Sequence, residues 1–223
     1  MDSPLNKIEQ LKKLISSLQE KIRKQSFDSG AIKTATKSLA NMGYMYDANL
    51  FPELKIDVDY SFSVGSQPNN LAEALLWKMG KWNVYKDFVN NYNNNGPLAK
   101  KTDVVFAAFA KHLRDSDNPI YDQHALRAML AINIDLKYQE KEQCKSVLFK
   151  TKGKEKGRWK AALSGSETIA CYNLYVAKLK ALSNNGLSKY ELDKLLMPLG
   201  QALKINCNNY EEFISLCCCG ENF

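Results

Sequence analysis

The sequence predicts an all-α protein. Apolar residues recur at helical spacing through most of the chain, and clusters of glycine, asparagine and proline interrupt them at helix-sized intervals. Only one short run, around Ile56, Val58 and Tyr60, alternates as a strand would. The 223 residues suffice for one good core or two small lobes, and 45% hydrophobic with 25% charged residues is an ordinary globular mixture. A net charge of +7 favours a polyanionic partner such as nucleic acid. No apolar run approaches a membrane span, and the polar start M-D-S-P-L-N-K lacks a signal-peptide core, so the expectation is a cytoplasmic or nuclear protein with no membrane association.

The first helix is expected over 4–25, with Ser3 as cap and Pro4 in its first turn. Leu5, Ile8, Leu11, Leu14, Ile15, Leu18 and Ile22 form its apolar stripe, which would pack on the body or on a protein partner. Residues 1–30 therefore read as an N-terminal amphipathic unit and 31–223 as the main body. A second helix over 31–42 ends at Gly43. The aromatic stretch 44–62 reads as an extended connector, and 64–70 as a loop. Helices follow over 71–80 and 81–92, the second carrying Trp82, Tyr85, Phe88 and Val89. The run N-N-Y-N-N-N-G-P is the plainest break, and an apolar helix over 102–113 comes next.

Pro119 keeps Asn118 out of the helical region, Asp122 is a natural N-cap, and Leu126, Met129 and Leu130 define a central helix ending near 134. The stretch 137–160 is basic and reads as a solvated segment or as a loop touching a phosphate backbone, with Lys152, Lys154, Lys156 and Arg158 as contacts and Trp159 able to stack. A helix over 166–182 stops at S-N-N-G. Ser188 and Glu191 then form a capping box for a helix running to about Gly200. A last helix over 210–217 is capped by Asn208 or Asn209. The end of the 71–80 helix, A-L-L-W-K-M-G, echoes K-L-L-M-P-L-G at Lys194 to Gly200 as two apolar helix ends stopped by glycine.

The six cysteines form no C-x-x-C pair and only two histidines accompany them, which argues against a zinc or iron–sulfur site. Reduced thiols are expected, with Cys217, Cys218 and Cys219 in a buried or frayed tail, and no metal or other cofactor is expected. There is no Walker loop, G-x-G-x-x-G, H-E-x-x-H or G-x-S-x-G. What remains is Lys100, Lys101 and Thr102, an apolar helix, a polar turn, and I-Y-D-Q-H-A-L-R.

Over about 95–135 this arrangement resembles the helix-hairpin-helix DNA glycosylase superfamily, which includes endonuclease III and the 8-oxoguanine glycosylases. In that family a hairpin leads to a lysine and an apolar helix, and further on an Asp stands at a helix N-terminus in a pattern like V-D-x-H-(V/I)-x-R. Lys101-Thr102 and the following helix match the first part; Tyr121-Asp122-Gln123-His124 with Arg127 match the second. Asp122 follows Lys101 by 21 positions, slightly more than the family spacing, and the hairpin's usual L-P-G-(V/I)-G is here N-G-P-L-A-K.

The resemblance implies a two-lobed helical bundle with a cleft between the lobes, the central lobe spanning about 70–136. It also implies a DNA base-excision N-glycosylase, with or without lyase activity, that acts on a flipped base. Asp122 would be the catalytic carboxylate, stabilising positive charge on the sugar as the base leaves, and Lys101 the amine nucleophile, with Lys100 or Lys111 able to approach the same cleft. Lys100, His124 and Arg127 would meet the nucleic acid, and Trp77, Trp82 and Tyr121 are candidates for the base pocket. The alternative is a catalytically silent module of the same fold that binds nucleic acid or protein.

Overall fold

The structure is a computed structural model that describes residues 4–45, 63–94, 96–98, 103–115, 117–133, 135–149, 165–183 and 186–217. Among them the secondary structure is entirely helical: α1 (Pro4–Arg23), α2 (Ser29–Asn41), α3 (Leu71–Lys78), α4 (Trp82–Asn93), α5 (Val104–Arg114), α6 (Gln123–Ile132), α7 (Tyr138–Leu148), α8 (Ser166–Ser183), α9 (Lys189–Asn206) and α10 (Tyr210–Cys217). The alternating run at Ile56, Val58 and Tyr60 lies outside the described residues, as do Ser3, Cys218 and Cys219.

α6 is the axis of the core. Every residue from Ala125 to Ile132 is at most 5% exposed, so this helix is apolar all round apart from Arg127. Alanines at 125, 128 and 131 keep it thin and let its neighbours come close, and alanine also has the highest helix propensity. α9 lies along it, presenting Leu192, Leu195, Leu196, Leu199 and Leu203. α1 packs against α6 and α2 through Leu11, Ile15 and Leu18, α2 adds Ile32 and Leu39 against α9, α10 packs on α1, and α7 and α8 pack on each other and on α6. Each fully buried Leu, Ile or Phe contributes roughly 1.5–3 kcal/mol. A separate small cluster joins α4 to α5 through Tyr92, Ala110 and Leu113, with Phe88 and Phe109 packed beside it and their rings 6.1 Å apart.

The apolar stripe of α1 packs on the body of its own chain, the first of the two settings the sequence allows. Leu11 and Ile15 are fully buried, and the Gln19 amide donates to the Ala131 and Cys217 carbonyls at 2.8 and 3.1 Å, tying α1 to the last turns of α6 and α10. α7 is a helix that the sequence reading missed inside the basic run. Cys144, Val147 and Leu148 recur on one face and are buried, and the Glu140 carboxylate accepts from the Lys137 N–H at its start. The lysine-rich composition had masked that short stripe. Asn209 is the cap of α10, its side chain accepting from the Glu212 N–H.

α9 corrects a second reading. It does not stop at Gly200 but continues to Asn206, through Pro198. The two echoed glycines do different work. Gly80 ends α3 in the left-handed region at φ 69°, whereas Gly200 is helical and lies against the backbone of α6. A Cβ added at 200 would stand 2.0 Å from the His124 carbonyl oxygen. Glycine is needed there because two helix backbones touch.

Candidate functional site at the start of α6

Asp122 precedes α6 in an extended conformation (φ −149°, ψ −178°), and its Oδ1 accepts from both the His124 and Ala125 N–H groups at 2.7 Å. The cap satisfies two amides of the first turn and sets the carboxylate at the positive end of the helix dipole. Among the described residues no hydrogen bond reaches Oδ2. Asp122 is half-buried, so this oxygen belongs to a side chain that still meets solvent.

The turn before it is tied down from two helices. The His112 ring N–H of α5 donates to the Asn118 carbonyl at 2.8 Å, and the Asn118 amide donates to the Asp115 carbonyl and carboxylate at 3.2 and 3.3 Å. Lys189, at the start of α9, donates to the Asp117 carbonyl and pairs with its carboxylate. Behind the turn, the buried Tyr121 ring meets Tyr172 and Tyr175 edge-on, at 5.3 and 5.4 Å.

A second carboxyl lies nearby. Burial, with the negative charge of Asp122, pushes Asp193 of α9 up to about 7. On the next residues of α6 the electrostatics favour neutrality as well. Burial holds the His124 imidazole below its ordinary range, against the Asp122 charge that favours protonation, while Arg127 and Lys204 add to the fall. His124 is thus packed into the α6–α9 crossing by its own helix turn. The His124 Nδ1 is buried without a hydrogen-bond partner among the described residues.

The structure brings Asp122, His124 and Tyr121 together. It corrects the expectation that Arg127 meets phosphate: the side chain is 1% exposed, and its guanidinium donates to the Gln123 carbonyl inside the core. Burial brings its pKa down to about 10. The three base-pocket candidates lie in three different settings. Trp77 is 60% exposed on α3, beside exposed Leu75 and Met79; Trp82 is buried on α4, outside the core that holds Tyr121; Tyr121 itself is core. Lys100, Lys101, Lys152, Lys154, Lys156 and Arg158 lie outside the described residues. Lys111, on α5, is half-buried and donates to the Gly96 carbonyl, and burial lowers its pKa toward the range where an amine is nucleophilic.

Sequence reasoning missed Asp193, Tyr175 and Gly200. Asp193 carried a signal: it is an acid on the apolar face between Leu192 and Leu196. Gly200 was misread because a glycine after an apolar run usually ends a helix. No described helix is long and apolar enough to cross a membrane, and among the described residues no group of three or more His, Cys, Asp or Glu side chains is placed to hold a metal ion. No protein-family model, no curated protein and no solved structure matches the chain.

Proposed function

We propose that the chain is a DNA base-excision N-glycosylase of the helix-hairpin-helix kind, with two helical lobes flanking a cleft that receives a flipped base. The observation that carries this reading is the Asp122 carboxylate. It stands at the first turn of a buried helix, with one oxygen committed to the cap and the other outside it. When the bond between base and sugar breaks, positive charge builds on the sugar ring, and a fixed carboxylate stabilises that charge without having to reorganise. The net charge of +7 suits a DNA substrate. In this reading Lys101 attacks the sugar carbon if the enzyme is also a lyase, and Lys100, Lys152, Lys154, Lys156 and Arg158 contact phosphate.

A panel of duplexes carrying modified bases, incubated with the native protein and scored for strand cleavage with and without alkali, tests the proposal. Release of one base class supports it. Cleavage without alkali, trapped by borohydride and lost in Lys101→Gln, adds the lyase step. A second reading, a silent module that binds DNA, draws on the interior position of Arg127 and on the sufficiency of Asp122 as a cap. Salt-sensitive DNA binding with no base released from any duplex favours that module.

A further inference from the structure

α3 is apolar and uncovered. Only Glu73 and Lys78 are polar in its sequence, yet Leu71 is 88% exposed and Leu75, Trp77 and Met79 are each 60% exposed. Leu71, Leu75 and Met79 follow one another at four-residue spacing along one face, with Trp77 and the exposed Ala72 and Ala74 around them. A helix this apolar is normally buried, and contiguous exposed apolar surface marks an interaction site. α3 packs mainly on α4 and takes no part in either apolar cluster of the described residues.

Local bonds hold this helix in shape without burial of that face. The Asn70 side chain accepts from the Glu73 N–H at 2.9 Å, and the Glu73 carboxylate accepts from the Asn69 N–H at 2.8 Å. At the other end the Gly80 and Lys81 N–H groups donate to the Trp77 and Leu76 carbonyls, with Gly80 in the left-handed region. The first cap also withdraws the only acid. From residue 63 to residue 86 the chain has no Asp or Glu except Glu73, which is 3% exposed. The exposed charges there are Lys78 and Lys81, and Lys86 is half-buried over the Trp82 ring. The surface is therefore apolar with a cationic edge.

We propose that α3 is a surface anchor that lies in the headgroup layer of an anionic lipid bilayer. Leu71, Leu75, Trp77 and Met79 enter the upper acyl region, and Lys78 and Lys81 meet the anionic headgroups. Charge complementarity selects this occupant. A second copy of the chain would bring another net charge of +7 and another pair of lysines to the same face. Tryptophan suits the boundary because its ring is apolar and its N–H polar, and a lysine stem can lie on apolar surface while the ammonium stays wet. The capped helix is already formed, so binding does not have to order it. Lying on a bilayer needs no spanning helix, so the contact is independent of the absence of one among the described residues. The inference goes beyond base release and does not depend on Asp122.

The test is flotation of the full chain with vesicles of phosphatidylcholine alone and of phosphatidylcholine with about one-third phosphatidylserine. The native chain should bind the anionic vesicles about ten-fold or more tighter than the neutral ones. Leu75→Ser and Trp77→Ser should each weaken anionic binding by about ten-fold, through lost apolar burial. Lys78→Gln with Lys81→Gln should weaken it by about ten-fold as well. Lys33→Gln with Lys37→Gln removes the same charge from the exposed side of α2 and should stay within about two-fold of native. All six side chains are exposed, so the melting points of these variants should match native. Absence of binding to anionic vesicles overturns the proposal, as does native binding in Leu75→Ser or a loss in the α2 variant equal to that in the α3 lysine variant. A dimer in sedimentation that Leu75→Ser abolishes, without vesicle binding, also overturns it and assigns the face to a second copy.

Discussion

Asp193→Asn should change how the protein's stability responds to pH. Folding raises the Asp193 carboxyl to about 7, so between about pH 4 and pH 7 the folded chain holds a proton that the unfolded chain has lost. Stability from this group is therefore greatest in acid and falls as pH rises through that window. The slope approaches 1.4 kcal/mol per pH unit, for a total of about 4 kcal/mol. Because Asp193 is 9% exposed, solvent screening takes little from that figure. Asparagine keeps the size of the side chain and has no proton to lose. Urea unfolding of both proteins at half-unit steps from pH 4.5 to pH 8 isolates the effect, because His124 and every other titrating group are common to both. The variant should gain on the native protein steadily toward pH 7 and then level off. Parallel stability curves would refute the reasoning, and a gain that grows toward acid would reverse its sign.

Gly200→Ala should cost roughly 3 kcal/mol or more in a thermal or urea melt, because the new methyl meets the His124 backbone and not a flexible side chain. Gly80→Ala, at a left-handed position with open space around it, should cost only about 1 kcal/mol. Equal losses would show that the helices do not touch at residue 200. Gln19→Ala should cost about 2 kcal/mol by leaving the Ala131 and Cys217 carbonyls without its amide, read as a melting point lower by roughly 4–8 °C. An unchanged melting point would contradict the bridge between α1, α6 and α10.

Much of the helical pattern was legible from local signals. Pro119 and Asp122 marked the start of α6, Ser188 with Glu191 marked that of α9, and the Leu11, Ile15 and Leu18 stripe marked α1. These features act over a turn or two, so spacing alone reveals them. What spacing could not reveal was contact between distant segments. Gly200 looks like a helix stop until the backbone of His124 is placed against it. Arg127 looks like a surface cation three residues from His124 until its neighbours on α6 prove buried on every side. Asp193 is 71 residues from Asp122, and only the packing of α9 along α6 brings their charges together. Asp122 itself was legible as a cap; its chemical role rests on the proposal and not on its geometry alone.

The most direct test of that role is single-turnover base release by native protein and Asp122→Asn on the duplex that responds best. Asparagine caps a helix about as well as aspartate, so the melting points should agree within about 1 °C. Release should fall by about 10²–10³-fold in the variant, the loss typical of removing one charge-stabilising group. Equal release by both proteins would leave Asp122 as a cap only and would contradict the account.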